Sequence, residues 1–446
     1  MDSLSTPQHQ LSALFGLFLV WKSLILLIVF SSLAVGYDTS ASLLMKATNN
    51  GILTETPNNF QSQWLKFVRW DAIYSTHMAG HGLVFEQEWA WGIGLSTSLS
   101  FLAKRLAVLT GTNDAVTLVI AGVLLSHTTH WLSTVQLWFL ARRLVDVSKS
   151  PKSQVPFCAA AFYIISPAGV FLSAPYSESL FAFLSISGFL GYVYAVHYFN
   201  HARVFAGSVL MVAAGVPFGL ATFVRGNGIL AGVTYLLEAA ATVFALLTQE
   251  FTIWRLIRLS SVAAGGLLVA VGTLIPQYLA YTEYCLGRDP EVRRPWCNNT
   301  MPSIFTFVQS HYWNVGPFRY WTLSNLPLFL LAAPSLWLLA VSSTEFMRNP
   351  RIFSSSPAKA TSRTVCRRDR VTAWSLALPQ LILAILALTS YHVQIITRLA
   401  SGYPLWYIWL SHQIVGGWSR TSVIIRYMVM YGLIQAGLYA SFLPPA

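Results

Sequence analysis

Apolar runs of about 18–25 residues, separated by short polar intervals, recur along the whole chain. A hydrocarbon core of ~30 Å takes about 20 residues of helix to cross. The pattern therefore predicts membrane-spanning helices near 14–35, 115–141, 156–173, 176–197, 204–223, 228–247, 260–281, 326–342, 373–390 and 421–442. The third is short and interrupted by proline. The runs are continuous and not alternating, which argues against a β-barrel. The fold class is all-α and polytopic, one integral-membrane domain over 1–446 with about ten transmembrane helices. The stretch 89–110 is amphipathic and cut by Lys104 and Arg105, so it is expected to lie at the interface or re-enter. The first run carries Lys22 and no small-residue cleavage site, and reads as a retained signal anchor.

Composition agrees with this class. Of 446 residues 55% are hydrophobic and only 10% charged, where a soluble domain carries roughly 25% charged residues. The net charge of +12 sets topology and gives no sign of nucleic-acid binding, because the cations collect in short loops. Arg142, Arg143, Lys149 and Lys152 follow the second helix, and Arg255 and Arg258 follow the sixth. Arg348, Arg351, Lys359, Arg363, Arg367, Arg368 and Arg370 fill a basic loop over 343–372. Alternating crossings put all of these on one side, the cytosol by the positive-inside rule. The opposite side then holds the first loop 37–113, the turn 175–178, the junction 224–227, the loop 282–325 and the segment 391–420. Asn298–Asn299–Thr300 on that side is a glycosylation sequon. Cys285 and Cys297 share the same loop, and an oxidising lumen would allow them to pair; whether they do is open. Cys158 falls in an apolar run and is expected to be inert.

The candidate chemistry gathers on that side. Arg69–Trp70–Asp71 opens the first loop; Asp71, shielded beside Trp70, is a candidate general base, with an ion pair to Arg69 or Lys66 as its competing use. Glu86 and Glu88 flank Gln87; an extended loop would point them to opposite faces, so one of them is expected to join Asp71. Arg225, before Gly226–Asn227–Gly228, and Arg398 are candidates to hold a phosphate bidentately, unless they snorkel to headgroups. Tyr176 and Glu178 form a turn in which Glu178 can cap the following helix or meet substrate. Trp70, Trp89, Asn227, Gln309, Tyr312, Trp313 and Asn314 are candidate substrate contacts. Tyr312, Trp313, Tyr320, Trp321, Trp406, Tyr407 and Trp409 also suit an interfacial aromatic belt. His77/His81 and His127/His130 lack the companions a metal site needs, so no metal and no cofactor is expected.

Taken together, RWDAIY (69–74), EQEWAW (86–91), SPAGVFLSAPYSESLFAFLS (166–185), RGNG (225–228), PQYLAYTEYC (276–285), PWC (295–297), VQSHYWNVGPFRYW (308–321) and RLASGYPLWYIW (398–409) resemble the GPI mannosyltransferase 2 family. Gly226 stands where Ser is expected in many members, and Trp91 where Phe is expected. The resemblance implies a GT-C type glycosyltransferase of the endoplasmic reticulum membrane with a lumenal active site and the catalytic acid of the first loop at Asp71. It implies dolichyl-phosphate mannose as donor and the mono-mannosylated glycosylphosphatidylinositol (GPI) precursor as acceptor, joined by an α-1,6 bond. It also implies a small membrane accessory subunit. The rival class is a lipid-carrier transporter or flippase, and a third is a dolichol-dependent transferase with another acceptor.

Overall fold

The computed structural model describes residues 6–32, 40–41, 59–111, 115–145, 152–289, 291–350 and 363–443, with the backbone alone at 152 and 363–368. Parts of the expected loops 37–113 and 343–372, including Arg351 and Lys359, lie outside the described residues, as does Lys149 after the second helix. In chain order the helices are α1 Pro7–Ser31, α2 Asn59–Leu65, α3 Asp71–His81, α4 Gly94–Thr110, α5 Ala115–Leu144, α6 Val155–Ile164, α7 Ser177–Asn200 and α8 Val204–Val224. There follow α9 Ala231–Thr248, α10 Ile253–Tyr284, α11 Ile304–His311, α12 Leu326–Arg348, α13 Arg363–Thr389, α14 Ile396–Leu399, α15 Leu405–Val415 and α16 Thr421–Ala440. Nine helices among the described residues are long and apolar enough to cross a membrane, and they coincide with nine of the ten expected runs.

The side-chain pairs fix which helix ends lie together. Lys66 Nζ donates to the carbonyls of Phe30 and Ser32 (2.9 and 2.8 Å), so the end of α1 meets the start of the first loop. Trp138 Nε1 donates to Gln10 Oε1 (2.9 Å) and Arg142 covers the Trp138 ring (4.6 Å), so the start of α1 meets the basic end of α5. Arg143 reaches Tyr194 of α7, and Arg258 of α10 pairs with Glu238 of α9 at the same end. Arg142, Arg143 and Arg258 thus share one end of the bundle. The turns 69–71, 176–178 and 225–227 share the other.

Two crossings are broken. The expected helix 156–173 is helical only to Ile164, about 15 Å of rise; a 3-10 turn Gly169–Leu172 and irregular chain complete the passage. The segment 391–420 was expected on one side as a loop, and the structure corrects this. It enters through α14, turns at Ala400–Gly402, and runs through α15 until Trp409 Nε1 donates to Glu345 Oε2 (2.6 Å) near the basic end. Then α16 returns to the first loop, where Tyr439 OH donates to the Phe67 carbonyl (2.8 Å). Trp406, Tyr407 and Trp409, expected in an interfacial belt, are buried in this passage.

Irregular backbone at membrane depth is tolerated only where protein satisfies its polar groups. Here α6 and α15 pack side by side, with Tyr407 OH donating to Ser166 Oγ (2.8 Å). Lys22 Nζ donates to the Leu172 carbonyl (2.6 Å) and Ser173 Oγ (2.8 Å); Ser126 Oγ serves the Ala174 carbonyl (2.6 Å) and Ser75 Oγ that of Pro175 (2.8 Å). Trp406 Nε1 serves the Ala400 carbonyl (3.0 Å). Lys22 of α1 is therefore a partner for the first break. Small residues bring α8 and α10 together: a Cβ on Gly215 would stand 2.7 Å from the Gly265 carbonyl oxygen.

Within the first loop, α4 buries Leu95, Leu99 and Ala103 on one face and exposes Phe101, Val108 and Leu109 beside Lys104 and Arg105, as an amphipathic helix does. Cys285 and Cys297 are joined by a disulfide, with Cα atoms 5.6 Å apart. It closes the chain just after α10 and carries the exposed sequon Asn298 at the non-basic end.

Candidate active site

Both broken crossings deliver charged side chains to one place. Asp71 is the first residue of α3, and its backbone N–H donates to Tyr176 OH (3.1 Å), which donates in turn to the Arg69 carbonyl (3.0 Å). The residue before it, Trp70, has φ 52°, a left-handed value rare for a bulky residue. Strain of this kind persists where surroundings impose it, often at functional sites; here the Trp70 ring lies against Phe442 (5.3 Å). Asp71 Oδ2 accepts from Arg398 Nη1 at 2.9 Å. Arg398 Nε lies 3.6 Å from Glu178 Oε1, and the same oxygen is 2.7 Å from Arg225 Nη1, which also donates to Ser177 Oγ (2.7 Å). Four charges therefore alternate, Asp71, Arg398, Glu178, Arg225, and sum to zero. Glu178 is only 1% exposed, whereas Asp71 is 26% exposed. Buried charge is costly unless paired, so Glu178 is what lets two guanidinium groups converge at this depth.

The open side of this chain of charges faces a cavity of about 700 Å³. That lies in the upper part of the ~300–1,000 Å³ typical of small-molecule sites. Trp70, Asp71, Arg225, Asn227, Gln309, Trp313 and Arg398 line it. The sequence reasoning missed Tyr74, Trp91, Arg319, Tyr391 and His392, which line it too. Tyr74 stacks on Trp91 (5.4 Å), which meets Trp313 (5.1 Å), giving an aromatic wall suited to a sugar face. Burial, with the nearby carboxylates of Asp71 and Glu88, pushes the Tyr74 phenol up, so it stays a hydrogen-bond donor at neutral pH. Trp91 ends EQEWAW, whose clustered aromatics are the signal for it. Among the described residues no group of three or more His, Cys, Asp and Glu side chains is arranged to hold a metal ion.

Several expected contacts lie elsewhere. Glu86 and Glu88 sit in a 3-10 turn, not an extended strand, and neither lines the cavity. Glu86 accepts from Arg294 Nε (2.9 Å), Trp296 Nε1 (2.9 Å) and Tyr312 OH (3.0 Å), a clasp between the first loop and 282–325. Glu88 accepts from the N–H groups of Val84 (2.7 Å) and Phe85 (2.9 Å) and pairs with His77 Nδ1 (2.6 Å). Both carboxylates are thus engaged by partners within the protein. Trp89 packs in the cluster around Trp296 and the disulfide, Tyr312 serves Glu86, and Asn314 is a turn residue with φ 50°. Tyr176 and Glu178 are buried and do not line the cavity. Asp71 pairs with neither Arg69, whose guanidinium covers Phe442 (4.7 Å), nor Lys66.

Burial alone would raise the Glu86 carboxyl, but the hydrogen bonds from Arg294, Trp296 and Tyr312 and the Arg294 charge hold it below its usual 4.5. A carboxylate depressed on folding adds stability that is complete above its unfolded value and lost as pH falls through the folded one. Thermal unfolding of the purified chain should therefore show a loss as pH falls below the ordinary carboxylate range that shrinks in Glu86→Gln; an identical pH profile in the variant would remove Glu86 as a clasp.

The mannosyltransferase (PIG-V) family matches residues 12–446. The chain belongs to this family. As a mannosyltransferase it is a multi-span membrane glycosyltransferase. It is similar to GPI mannosyltransferase 2 of Aspergillus oryzae, 37% identical over 457 residues, covering 100% of this chain and 98% of the relative. GPI mannosyltransferase 2 of Chaetomium globosum is 40% identical over 464 residues, with 98% and 97% covered. That of Schizosaccharomyces pombe is 31% identical over 425 residues, with 94% and 81% covered. Among solved structures, the Archaeoglobus fulgidus oligosaccharyltransferase is 12% identical with a TM-score of 0.43; the match covers 95% of this mannosyltransferase and 56% of the archaeal chain.

Proposed function

We propose that this mannosyltransferase is a GT-C type enzyme that moves mannose from dolichyl-phosphate mannose to the mono-mannosylated GPI precursor, forming an α-1,6 bond on the lumenal face of the endoplasmic reticulum. The observation that carries the reading is the Asp71–Arg398 pair, 2.9 Å long, on the wall of the cavity. The names of the full-length relatives support the acceptor. The position of the cavity opposite the basic loops, at the same end as the exposed sequon, supports the lumenal side.

The step is a single in-line displacement with inversion. The acceptor 6-hydroxyl oxygen attacks the mannosyl C1 as the C1–oxygen bond to phosphate breaks, and the electron pair leaves with dolichyl phosphate. The hydroxyl proton goes to Asp71. As the leaving phosphate gains a negative charge, Asp71 loses its own. Arg398 then exchanges its carboxylate partner for the phosphate, so the total charge of the site is constant through the step. Arg225 supplies the second guanidinium, and Glu178 holds both in place while charge develops.

Arg225→Gln should raise the donor KM by roughly 10- to 100-fold, the worth of a charge-assisted hydrogen bond, with a much smaller effect on acceptor KM. Steady-state transfer in reconstituted vesicles reads the split; equal effects on both substrates would make Arg225 structural. Cells depleted of the protein should accumulate the one-mannose GPI intermediate.

A further inference from the structure

Arg225 and Arg398 are balanced by Glu178 and Asp71, but the cavity holds a third guanidinium. Arg319 lines it and has no carboxylate partner among the described residues; its side chain makes one long hydrogen bond there, Nη1 to the Ser310 carbonyl at 3.4 Å. Gln309, on the same wall, has no side-chain hydrogen bond among the described residues. The cavity is thus left with one cation in excess.

The segment is held, and held at a particular height. The N–H groups of Gly316 and Phe318 donate to the carbonyls of Ser390 (3.2 Å) and Thr389 (2.6 Å), at the end of α13, and Trp321 Nε1 donates to the Leu388 carbonyl (2.8 Å). Phe318 takes φ 57°, a left-handed value offset by its tie to Thr389, and Asn314 takes φ 50°. Phe318 and Trp321 are exposed on either side of Arg319. Exposed aromatics at the mouth of a spanning helix sit at headgroup level, the depth at which a lipid carries its phosphodiester. Gly316 lets the guanidinium lie over the backbone, since a Cβ there would stand 3.0 Å from Arg319 Nε.

We propose that Arg319, with the Gln309 carboxamide, forms a second anion subsite that takes the phosphodiester of the lipid-linked acceptor. This rests on the acceptor reading above. It divides the cavity into a donor-phosphate pole at Arg225 and Arg398 and an acceptor-phosphate pole at Arg319, so that the glycan between them is presented to Asp71.

The test uses the full chain in neutral phosphatidylcholine vesicles with dolichyl-phosphate mannose. Two acceptors are compared: mono-mannosyl glucosaminyl phosphatidylinositol, and the same glycan with the phosphate replaced by a neutral ether link. The wild type should favour the phosphate acceptor by roughly 10- to 100-fold in kcat/KM. Arg319→Gln should abolish most of that preference, Gly316→Ala should weaken it with the charge retained, and Arg319→Lys should keep part of it. A full preference in Arg319→Gln overturns the subsite. So does restored use of the neutral acceptor by the wild type when free phosphatidylinositol is added, which would assign the site to a bulk headgroup. Transfer to neither acceptor by the wild type sinks the acceptor reading, and the subsite falls with it; an active wild type with an Arg319-independent preference sinks the subsite alone.

Discussion

Asp71→Asn should lower kcat for mannosyl transfer by roughly 10²- to 10⁴-fold, the usual worth of a positioned general base. The amide keeps the shape of the side chain and an oxygen for Arg398, which now pairs with the carboxylate at 2.9 Å. The fold should therefore survive, and the melting temperature should stay close to wild type. The kinetic signature is specific. If Arg398 receives the donor phosphate as proposed, Asp71 competes with it in the resting site, so removing its charge should leave donor KM unchanged or lower while kcat collapses. Steady-state kinetics on reconstituted protein read both constants. A variant with near-normal kcat would take Asp71 out of the chemistry.

The second large effect is on stability. Glu178 is 1% exposed and lies 2.7 Å from Arg225 and 3.6 Å from Arg398. Glu178→Ala leaves two guanidinium groups facing each other with Asp71 as their one neighbouring carboxylate. Removing one partner of a buried ion pair costs about 3–5 kcal/mol, a large share of the roughly 5–15 kcal/mol that holds a protein together. Glu178→Gln preserves volume and a hydrogen-bond acceptor and should lose less. Gln309→Ala, at the cavity surface, should lose least. Thermal unfolding in detergent orders the three. An alanine variant as stable as wild type would mean that Glu178 does not balance the arginines.

Much of the fold could be read from the apolar runs, because a membrane demands the same length of every full crossing. Nine of the ten expected helices are full-length for that reason. The passage through 393–415 was hidden because Arg398, Gly402 and Pro404 cut it into pieces shorter than a bilayer, and α15 is only 11 residues long. Its burial among other helices, visible only in three dimensions, replaces the missing length. The site divides in the same way. Asp71, Arg225 and Arg398 were recognisable as charges beside membrane runs. That Asp71 and Arg398 are partners across 327 residues of sequence was not. Glu86 and Glu88 looked equivalent to Asp71 by composition. Their carboxylates are consumed by Arg294, Trp296 and Tyr312, and by His77 and two backbone N–H groups, partners that alternation along a strand cannot indicate. Arg319 lies inside VQSHYWNVGPFRYW, but an exposed loop arginine carries no signal until a cavity is seen beneath it.

The most direct measurement is product analysis with the purified chain, radiolabelled dolichyl-phosphate mannose and the mono-mannosylated acceptor in sealed vesicles. The account predicts an acceptor heavier by one mannose, released by an α-1,6-specific mannosidase, and no such product from Asp71→Asn. Donor that crosses the vesicle membrane while no new glycosidic bond forms would contradict it.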